Sequence, residues 1–174
     1  MNENLLTIRL LSEQDIPKIA QAFQELGWHK PAAQYQAYLV EQAWGDRVVF
    51  VAFAGEEFAG YVTIWKGVPR YPPFREQRIP EISDFNVLPR FRRHGIGSLL
   101  MEQAEAEAAV TSPVVGLGVG LTADYGAALR LYLQRGYLPD GHGLFYGDHH
   151  PEYGEIVSVD DDLCLYFTKD LTAS

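Results

Sequence analysis

The sequence predicts a mixed α/β fold in which a central sheet of seven strands is flanked by helices. Short segments rich in β-branched and aromatic residues are typical of strands, and examples are 47–53 (RVVFVAF) and 58–65 (FAGYVTIW). These two segments flank the turn AGEE, which predicts a hairpin. Longer segments between such runs carry apolar residues at helical spacing. The predicted order is β-α-α-β-β-β-α-β-α-β-β. With 174 residues, the chain fits one domain spanning 1–174.

The N-terminal part predicts one strand followed by two helices. The strand covers 5–11 (LLTIRLL), and Ser12 with Asp15 three residues later is a helix-start pattern. Gly27 ends this first helix and Pro31 opens the second. The apolar stripes of the two helices are Ile16, Ile19, Ala20 and Phe23, then Tyr35, Tyr38, Leu39 and Ala43.

The C-terminal part predicts alternating strands and helices followed by a long tail. The segment 67–78 contains three prolines and three arginines, and we expect it to be a loop. The later predicted elements are a strand at 79–87, a helix from about 95 to 109, a strand at 113–121, a helix at 124–135 closed by Gly136, a loop at 143–155 and a last strand at 163–168.

Composition and charge exclude several functional classes. The net charge of −9 disfavours nucleic acid as a partner, because phosphates would be repelled. No apolar run is long enough to span a membrane, and the N-terminus lacks a signal-peptide pattern. Cys164 is the only cysteine, so we expect no intramolecular disulfide, no cysteine metal cluster and a reducing, cytoplasmic setting. The histidines show no metal-ligand spacing, and we expect no metal cofactor.

The charge is unevenly distributed along the chain. Residues 65–95 carry a net charge of +4, whereas residues 136–174 carry −7. A basic patch on an acidic protein favours one small anionic ligand. The acidic C-terminal segment suits a cationic second ligand, although a solvated surface is the alternative interpretation.

The positive charge is concentrated at the start of a predicted helix, in RRHGIG. Arg92, Arg93 and His94 precede Gly95 and Gly97, whose missing Cβ atoms allow a ligand to approach the backbone. Helix N-termini bind anions because their first N–H groups lack internal partners and the dipole is positive there. The motif therefore predicts a phosphate site. The alternative is that both glycines are turn residues beside a solvated basic run.

The helix that follows predicts one buried and one exposed face. Its periodicity directs Ile96, Leu99, Leu100 and Ala104 to the core, and Glu102 and Glu105 to solvent.

Two motifs identify a family resemblance. Arg92 to Gly97 matches the Gln/Arg-x-x-Gly-x-Gly/Ala signature of the GCN5-related N-acetyltransferases (GNAT superfamily). The segment AALRLYLQRGY, 127–137, resembles the family's second motif, Ala-x-x-Leu-Tyr-x-x-x-Gly-Phe/Tyr. They stand about thirty-five residues apart with a strand between them, and the resemblance extends from the first strand to about residue 140.

The resemblance implies a GNAT-like fold that binds acetyl-CoA or another acyl-CoA as co-substrate. Backbone N–H groups of the glycine loop would hold the pyrophosphate, and Phe85 and Val87 would pair through their backbones with the pantetheine arm. Tyr125 replaces the asparagine that many relatives carry near that arm. The implied cofactor-binding residues are Phe85, Val87, Arg92, Arg93, His94, Gly95, Ile96, Gly97, Ser98 and Tyr125.

The resemblance also implies two catalytic residues for acyl transfer to an amine. Tyr132 matches the family's usual acid beside the thioester sulfur, and Glu81 stands where the histone acetyltransferases of this family carry a glutamate base. Strand alternation puts Glu81 and Phe85 on one face and Asp84 on the other. The alternatives remain core packing for Tyr132, an ion pair with Arg78 for Glu81, and a water chain as base.

Aromatic and acidic residues predict the acceptor side. The segments 27–31, 68–74 and 143–155 supply the predicted substrate contacts Trp28, Tyr71 and Tyr146, with Asp148, Glu152 and Glu155 nearby. This composition favours a cationic amine, while a hydrophobic core or a homodimer interface explains the aromatics equally well. We therefore expect an N-acetyltransferase for a small amine or a protein amine. The alternative is a non-catalytic acyl-CoA-binding or regulatory module.

Overall fold

A central mixed sheet is the main feature of the computed structural model, which describes residues 5–172. Within that range the sheet has seven strands in the order β1-β2-β3-β4-β5-β7-β6. The strands are β1 (Leu6–Leu10), β2 (Arg47–Ala54), β3 (Glu57–Trp65), β4 (Glu81–Val87), β5 (Val114–Gly120), β6 (Leu138–Tyr146) and β7 (Leu163–Asp170). Apart from the parallel pairing of β4 with β5, each strand pair with a described register is antiparallel. The predicted fold class is confirmed.

Five α-helices connect these strands in the part of the chain that the structure describes. They are α1 (Ile16–Glu25), α2 (Ala32–Trp44), α3 (Pro72–Gln77), α4 (Ile96–Ala109) and α5 (Gly126–Gln134). The Ser12–Asp15 start pattern is confirmed, because the Ser12 N–H donates to the Asp15 carboxylate at 2.9 Å. The chain forms two compact units, one of residues up to Gly67 with Ser83–Glu107, the other of Val68–Ile82 with residues from Ala108 onward. That the whole chain acts as one domain stays a prediction.

Two elements differ from the sequence-based prediction. The segment 67–78, expected to be a loop, contains α3, because two prolines in the first turn have the fixed φ that starts a helix. Arg78 then ends it in the left-handed region, with φ of 55°. The predicted tail loop 143–155 begins within β6, whose residues 144–146 pair with β7.

An aromatic core stabilises the first unit. Phe23 on α1 stacks on Trp28 with ring centroids 5.8 Å apart and meets Tyr61 of β3 edge-on at 6.0 Å. Tyr35 of α2 meets the same Tyr61 ring at 5.5 Å. The buried cluster consists of Leu11, Ile16, Ile19, Phe23, Tyr35, Val49, Val51, Phe53, Phe58, Tyr61 and Leu88.

A second aromatic cluster forms the core of the other unit. Tyr71 and Tyr166 stack face to face, with centroids 3.6 Å apart and planes 3° apart. Phe74 and Phe145 meet Tyr71 edge-on at 4.9 and 5.0 Å. Gly116 of β5 makes room for this cluster, because a Cβ at that position would collide with the Phe74 ring.

The buried face of α4 differs from the predicted one at two positions. Leu99 is 42% exposed, and Glu105 is buried. The buried stripe follows i+4 steps from Ile96 through Leu100, Ala104 and Ala108, with Met101 and Glu105 beside it. Viewed down the helix axis, the buried residues extend to one side of Ile96, and Leu99 lies on the other side.

Gly60 of β3 tests how closely β3 and β4 are packed. A Cβ at Gly60 would lie 2.5 Å from the Asn86 carbonyl oxygen and 3.1 Å from the Val87 Cα. We expect Gly60→Ala to lower the free energy of unfolding by about 1–3 kcal/mol, because backbone cannot yield to the added methyl. Gly126→Ala is the matched control, since nothing lies within 4 Å of a Cβ there. Urea unfolding would contradict this packing if both variants were as stable as the unmodified protein.

Candidate functional site

The loop between β4 and α4 is an exposed, strongly bent segment. A 3₁₀ turn at Pro89–Phe91 follows β4. Two positive φ angles then occur within three residues, 63° at Arg93 and 79° at Gly95. Nothing lies within 4 Å of a Cβ built on Gly95, so the space beside its backbone is open. Glycine is required there for conformation, because a side chain would be strained at this φ.

The start of α4 adds the first backbone N–H groups of a helix to this loop. The helical hydrogen bond from the Leu99 N–H to the Gly95 carbonyl measures 3.1 Å, so the N–H groups of residues 96–98 lie ahead of it. That end of the helix carries the positive end of its dipole. Arg92, Arg93 and His94 are exposed beside it. Backbone and side chains therefore place positive charge at one point.

Two hydrogen bonds shape the loop from within. The Arg92 Nε donates to the Val87 carbonyl at 3.0 Å, and the His94 Nδ1 lies 2.8 Å from the Arg92 carbonyl. Arg92 thus ties the loop back to the last residue of β4.

A backbone kink interrupts β4. Asp84 has a φ of 52°, in the left-handed region, although it lies in the middle of the strand. Before the kink, Glu81 lies opposite Gly116 and Ile82 opposite Leu117 in parallel register with β5. Regular side-chain alternation does not continue through a left-handed residue. The strand therefore lacks the regular alternation from which a shared face of Glu81 and Phe85 was predicted.

The Asp84 side chain is at the centre of a hydrogen-bond network that sequence analysis missed. Its Oδ1 accepts from Lys30 Nζ at 2.6 Å and from Asn86 Nδ2 at 3.1 Å. Its Oδ2 accepts from Tyr61 at 2.5 Å, Tyr38 at 2.8 Å and Gln34 at 2.8 Å. The only sequence signal was Gln34 and Tyr38, two polar groups one turn apart on α2. We call these six residues the Asp84 network.

The predicted acid Tyr132 lies in the second unit, on α5. It is buried, and its ring meets Tyr137 edge-on with centroids 5.9 Å apart. Burial, with a smaller contribution from Tyr125, raises the pKa of Tyr132 well above its ordinary value. The phenol is therefore protonated at neutral pH, as a proton donor must be.

Tyr125 and the predicted base Glu81 also belong to the second unit. The Tyr125 hydroxyl donates to Asp161 Oδ1 at 2.9 Å, and burial followed by this hydrogen bond raises its pKa to about 12. Glu81 is half-buried. Burial, followed by the negative charge of Glu81, raises the pKa of Cys164 to about 11 and that of Tyr166 still further.

The predicted acceptor contacts have different environments. Trp28, in the first unit, is 37% exposed and lines an open groove with Ala20, Gln24, Gly27, His29, Lys30, Pro31 and Ala32. Tyr71 is fully buried and donates to Asp140 at 2.5 Å, so it packs in the second unit's core. Tyr146 is half-buried, and its hydroxyl lies 3.4 Å from Asp160 Oδ2. Their contacts with an acceptor stay predictions.

A histidine lies among the acids of the loop that follows β6. His149 contacts Glu155 at 2.7 Å and Asp148 at 3.1 Å. The hydrogen bonds to Glu155 and Asp148 raise the pKa of His149. When the imidazole is protonated, its charge offsets part of the negative charge of these two carboxylates.

Metal-ligating side chains do not assemble in this protein as far as it is described. No group of three or more His, Cys, Asp or Glu residues in 5–172 could hold a metal ion. Over the same residues, no helix is both long and apolar enough to cross a membrane.

Known structures resemble this fold over nearly its whole length. An acetyltransferase from Salmonella typhimurium, solved with acetyl-CoA, shares 20% identity at a TM-score of 0.69, covering 98% of this chain and 96% of its own. Spermidine N-acetyltransferase from Vibrio cholerae, solved with CoA and spermine, shares 14% at 0.67, covering 96% of each chain. The ribosomal-protein-S18-alanine N-acetyltransferase from Escherichia coli shares 15% at 0.67, covering 98% and 96%.

Sequence comparison assigns the family. No curated protein sequence matches the chain significantly. The family model of the acetyltransferase (GNAT) family matches residues 14–137, which is more than half of the chain and includes both the glycine loop and the Tyr132 motif. The chain therefore belongs to the GNAT acetyltransferase family and is an N-acetyltransferase.

Proposed function

We propose that this protein transfers the acetyl group of acetyl-CoA to the primary amine of a small cationic acceptor. The observation that carries the proposal is the loop Arg92–Gly95 at the N-terminus of α4. Its open backbone at Gly95, positive φ angles and three basic side chains suit a pyrophosphate. The family membership and the acetyl-CoA in the Salmonella typhimurium relative support the same ligand.

The backbone of β4 after the kink would hold the arm of the cofactor. Phe85 and Val87 are half-buried residues of this segment. The pantetheine amides need hydrogen-bond partners once buried, and strand backbone supplies both donors and acceptors. The Val87 carbonyl already accepts from Arg92, and its second lone pair is the acceptor that we assign to the arm. Arg92 would thus link the phosphate site to the arm site.

Acetyl transfer requires three proton or charge adjustments. The acceptor ammonium must lose a proton, the developing oxyanion must be stabilised, and the departing thiolate must be protonated. Acetyl-CoA supplies the activated acyl group. We assign the last adjustment to Tyr132, whose buried phenol carries its proton at neutral pH. We assign the first to Glu81, a half-buried carboxylate.

The charge distribution favours a cationic acceptor. Residues 136–174 carry a net charge of −7, while the basic loop would be neutralised by the cofactor phosphates. The relative from Vibrio cholerae is a spermidine N-acetyltransferase, which supports a polyamine-like amine. The relative from Escherichia coli is named for a protein alanine, so a protein amine is the second acceptor class to test.

A negative charge on Gly97 tests the phosphate site. Asp is favourable in the first turn of a helix, so Gly97→Asp leaves α4 intact while it brings a carboxylate to the pyrophosphate. We expect the calorimetric Kd for CoA to rise more than about tenfold, equivalent to about 1.4 kcal/mol. Gln103→Glu adds the same charge at an exposed position later on α4 and should stay within about twofold. An unchanged Kd in Gly97→Asp would show that this loop does not bind the cofactor.

Removal of one hydroxyl tests the proton donor. We expect Tyr132→Phe to lower kcat about 10²-fold or more, on the scale of positioned acid catalysis, with the Kd for acetyl-CoA unchanged. Tyr137→Phe is the matched control, because that fully buried ring lies against Tyr132 and loses the same atom. Turnover is measured by release of the CoA thiol. Equal turnover by the Tyr132→Phe and unmodified proteins would show that Tyr132 only packs in the core and is not the proton donor.

Neutralisation of the acidic loop tests the acceptor charge. We expect the triple variant Asp148→Asn, Glu152→Gln and Glu155→Gln to raise KM for a diamine or polyamine and to leave KM for acetyl-CoA nearly unchanged. The kcat/KM of the unmodified protein should fall as salt rises, because the Debye length is about 10 Å at 0.1 M. The control neutralises Glu13, Glu25 and Glu56, three exposed acids of the first unit. Faster acetylation of anionic than of cationic amines would contradict the proposal.

A further inference from the structure

The kink in β4 requires a specific stabilising interaction. Asp84 adopts a φ of 52° inside a strand, where extended backbone is the norm. A non-glycine residue in the left-handed region is strained, and aspartate tolerates it better than most. Such a conformation persists only where surrounding contacts hold it.

The Asp84 network provides those contacts from several elements at once. Lys30 comes from the α1–α2 connection, Gln34 and Tyr38 from α2, and Tyr61 from β3. Charge-assisted hydrogen bonds of this kind are about twice as strong as neutral ones. The Asp84 side chain is only 19% exposed and that of Lys30 21%, so water competes weakly for the pair.

The segment beyond the kink is seated against β3. The Leu88 N–H donates to the Ala59 carbonyl at 2.9 Å. Gly60 of β3 lies so close to the Asn86 carbonyl that no side chain fits between them. The change of direction at Asp84 therefore determines where residues 85–87 run, before Arg92 ties the loop to Val87.

The carboxylate itself is not arranged as a proton acceptor. Both oxygens already accept hydrogen bonds, two at Oδ1 and three at Oδ2. Burial, followed by the negative charge of Asp84, raises the pKa of Tyr61, so the tyrosine keeps the proton that it donates. The network is thus suited to hold geometry.

We propose that Asp84 is a positioning residue for acetyl transfer: its carboxylate, held by Lys30 and the two tyrosines, locks the left-handed kink that aims residues 85–87 of β4 at the acyl-CoA arm. The inference rests on the proposed function, because it assigns the arm to the backbone of Phe85 and Val87. It adds a residue to the glycine-loop and Tyr132 motifs, and a physical cause for the course of the strand.

Three substitutions separate the carboxylate from the backbone angle. Asp84→Asn keeps tolerance of positive φ, and its amide can accept from Lys30 and donate to the tyrosine hydroxyls. Asp84→Gly allows the angle but removes the network. Asp84→Ala removes both. Ser83→Ala is the matched control, because Ser83 precedes Asp84 on β4. The hydroxyl that it loses contacts Arg47 of β2 and Thr63 of β3, outside the Asp84 network.

The first measurement is amide hydrogen exchange of the free protein. We expect peptides covering 85–88 to exchange at least tenfold faster in Asp84→Ala and Asp84→Gly. They should stay within about threefold of the unmodified protein in Asp84→Asn and Ser83→Ala. Peptides from β7 should be unaffected in all four variants, which separates local loosening from global unfolding.

The second measurement is calorimetric binding of CoA. We expect the Kd to rise at least tenfold for Asp84→Ala and Asp84→Gly, with rescue by Asp84→Asn. Unchanged exchange in Asp84→Gly would overturn the inference, because backbone freedom alone would then suffice. Failure of rescue of CoA binding by Asp84→Asn, with exchange of 85–88 as slow as in the unmodified protein, would overturn it in favour of a role for the charge other than positioning. If the unmodified protein does not bind CoA, the proposed function fails, while the exchange data still decide what holds the kink.

Discussion

The hydrogen bonds of the Asp84 carboxylate are the interactions on which our account of the kinked strand β4 depends. Five side-chain donors surround it, and they come from the α1–α2 connection, α2, β3 and β4. A largely buried charge is tolerated only when it is paired and hydrogen-bonded. The hydrogen bonds therefore fix the positions of the donor side chains as well as that of Asp84. The aromatic core beneath adds to this, because Lys30 Nζ also lies 5.8 Å from the Phe23 ring centroid and 5.6 Å from that of Tyr61. Packing and polar contacts thus converge on the kinked residue of β4.

From that point the chain leads directly to the loop that we propose as the phosphate site. The segment after the kink packs on β3, Arg92 bonds back to Val87, and two left-handed residues turn the backbone into α4. Backbone geometry and three side chains therefore concentrate positive charge locally in an acidic protein. In the proposed function, an anionic co-substrate binds there and the acidic remainder of the surface attracts a cationic acceptor. The pairing of His149 with Asp148 and Glu155 weakens that attraction as the imidazole is protonated.

Sequence patterns predicted the ranges of six of the seven strands described in 5–172, four of the five helices there and the glycine loop, because periodicity and Gly/Pro punctuation are local signals. No range was predicted for β6, whose last residues were expected to belong to a loop. They missed α3, since proline-rich composition reads as a loop even where two prolines begin a helix. They misplaced Leu99 and Glu105, because one turn of α4 fits two stripes and tertiary packing selects between them. The Asp84 network could not be predicted, since its hydrogen bonds join residues up to 54 positions apart and its kink breaks the alternation assumed for a strand.

An amide NMR map of the protein titrated with CoA tests most directly whether the loop and β4 bind the cofactor. We expect the largest shifts on the backbone N–H groups of residues 92–98 and on Phe85 and Val87. We also expect CoA added without an acceptor to leave the amides of β1 and α1 unchanged. Shifts confined to other parts of the chain, with residues 92–98 unmoved at saturating CoA, would contradict the assignment of the loop and of the strand beside it.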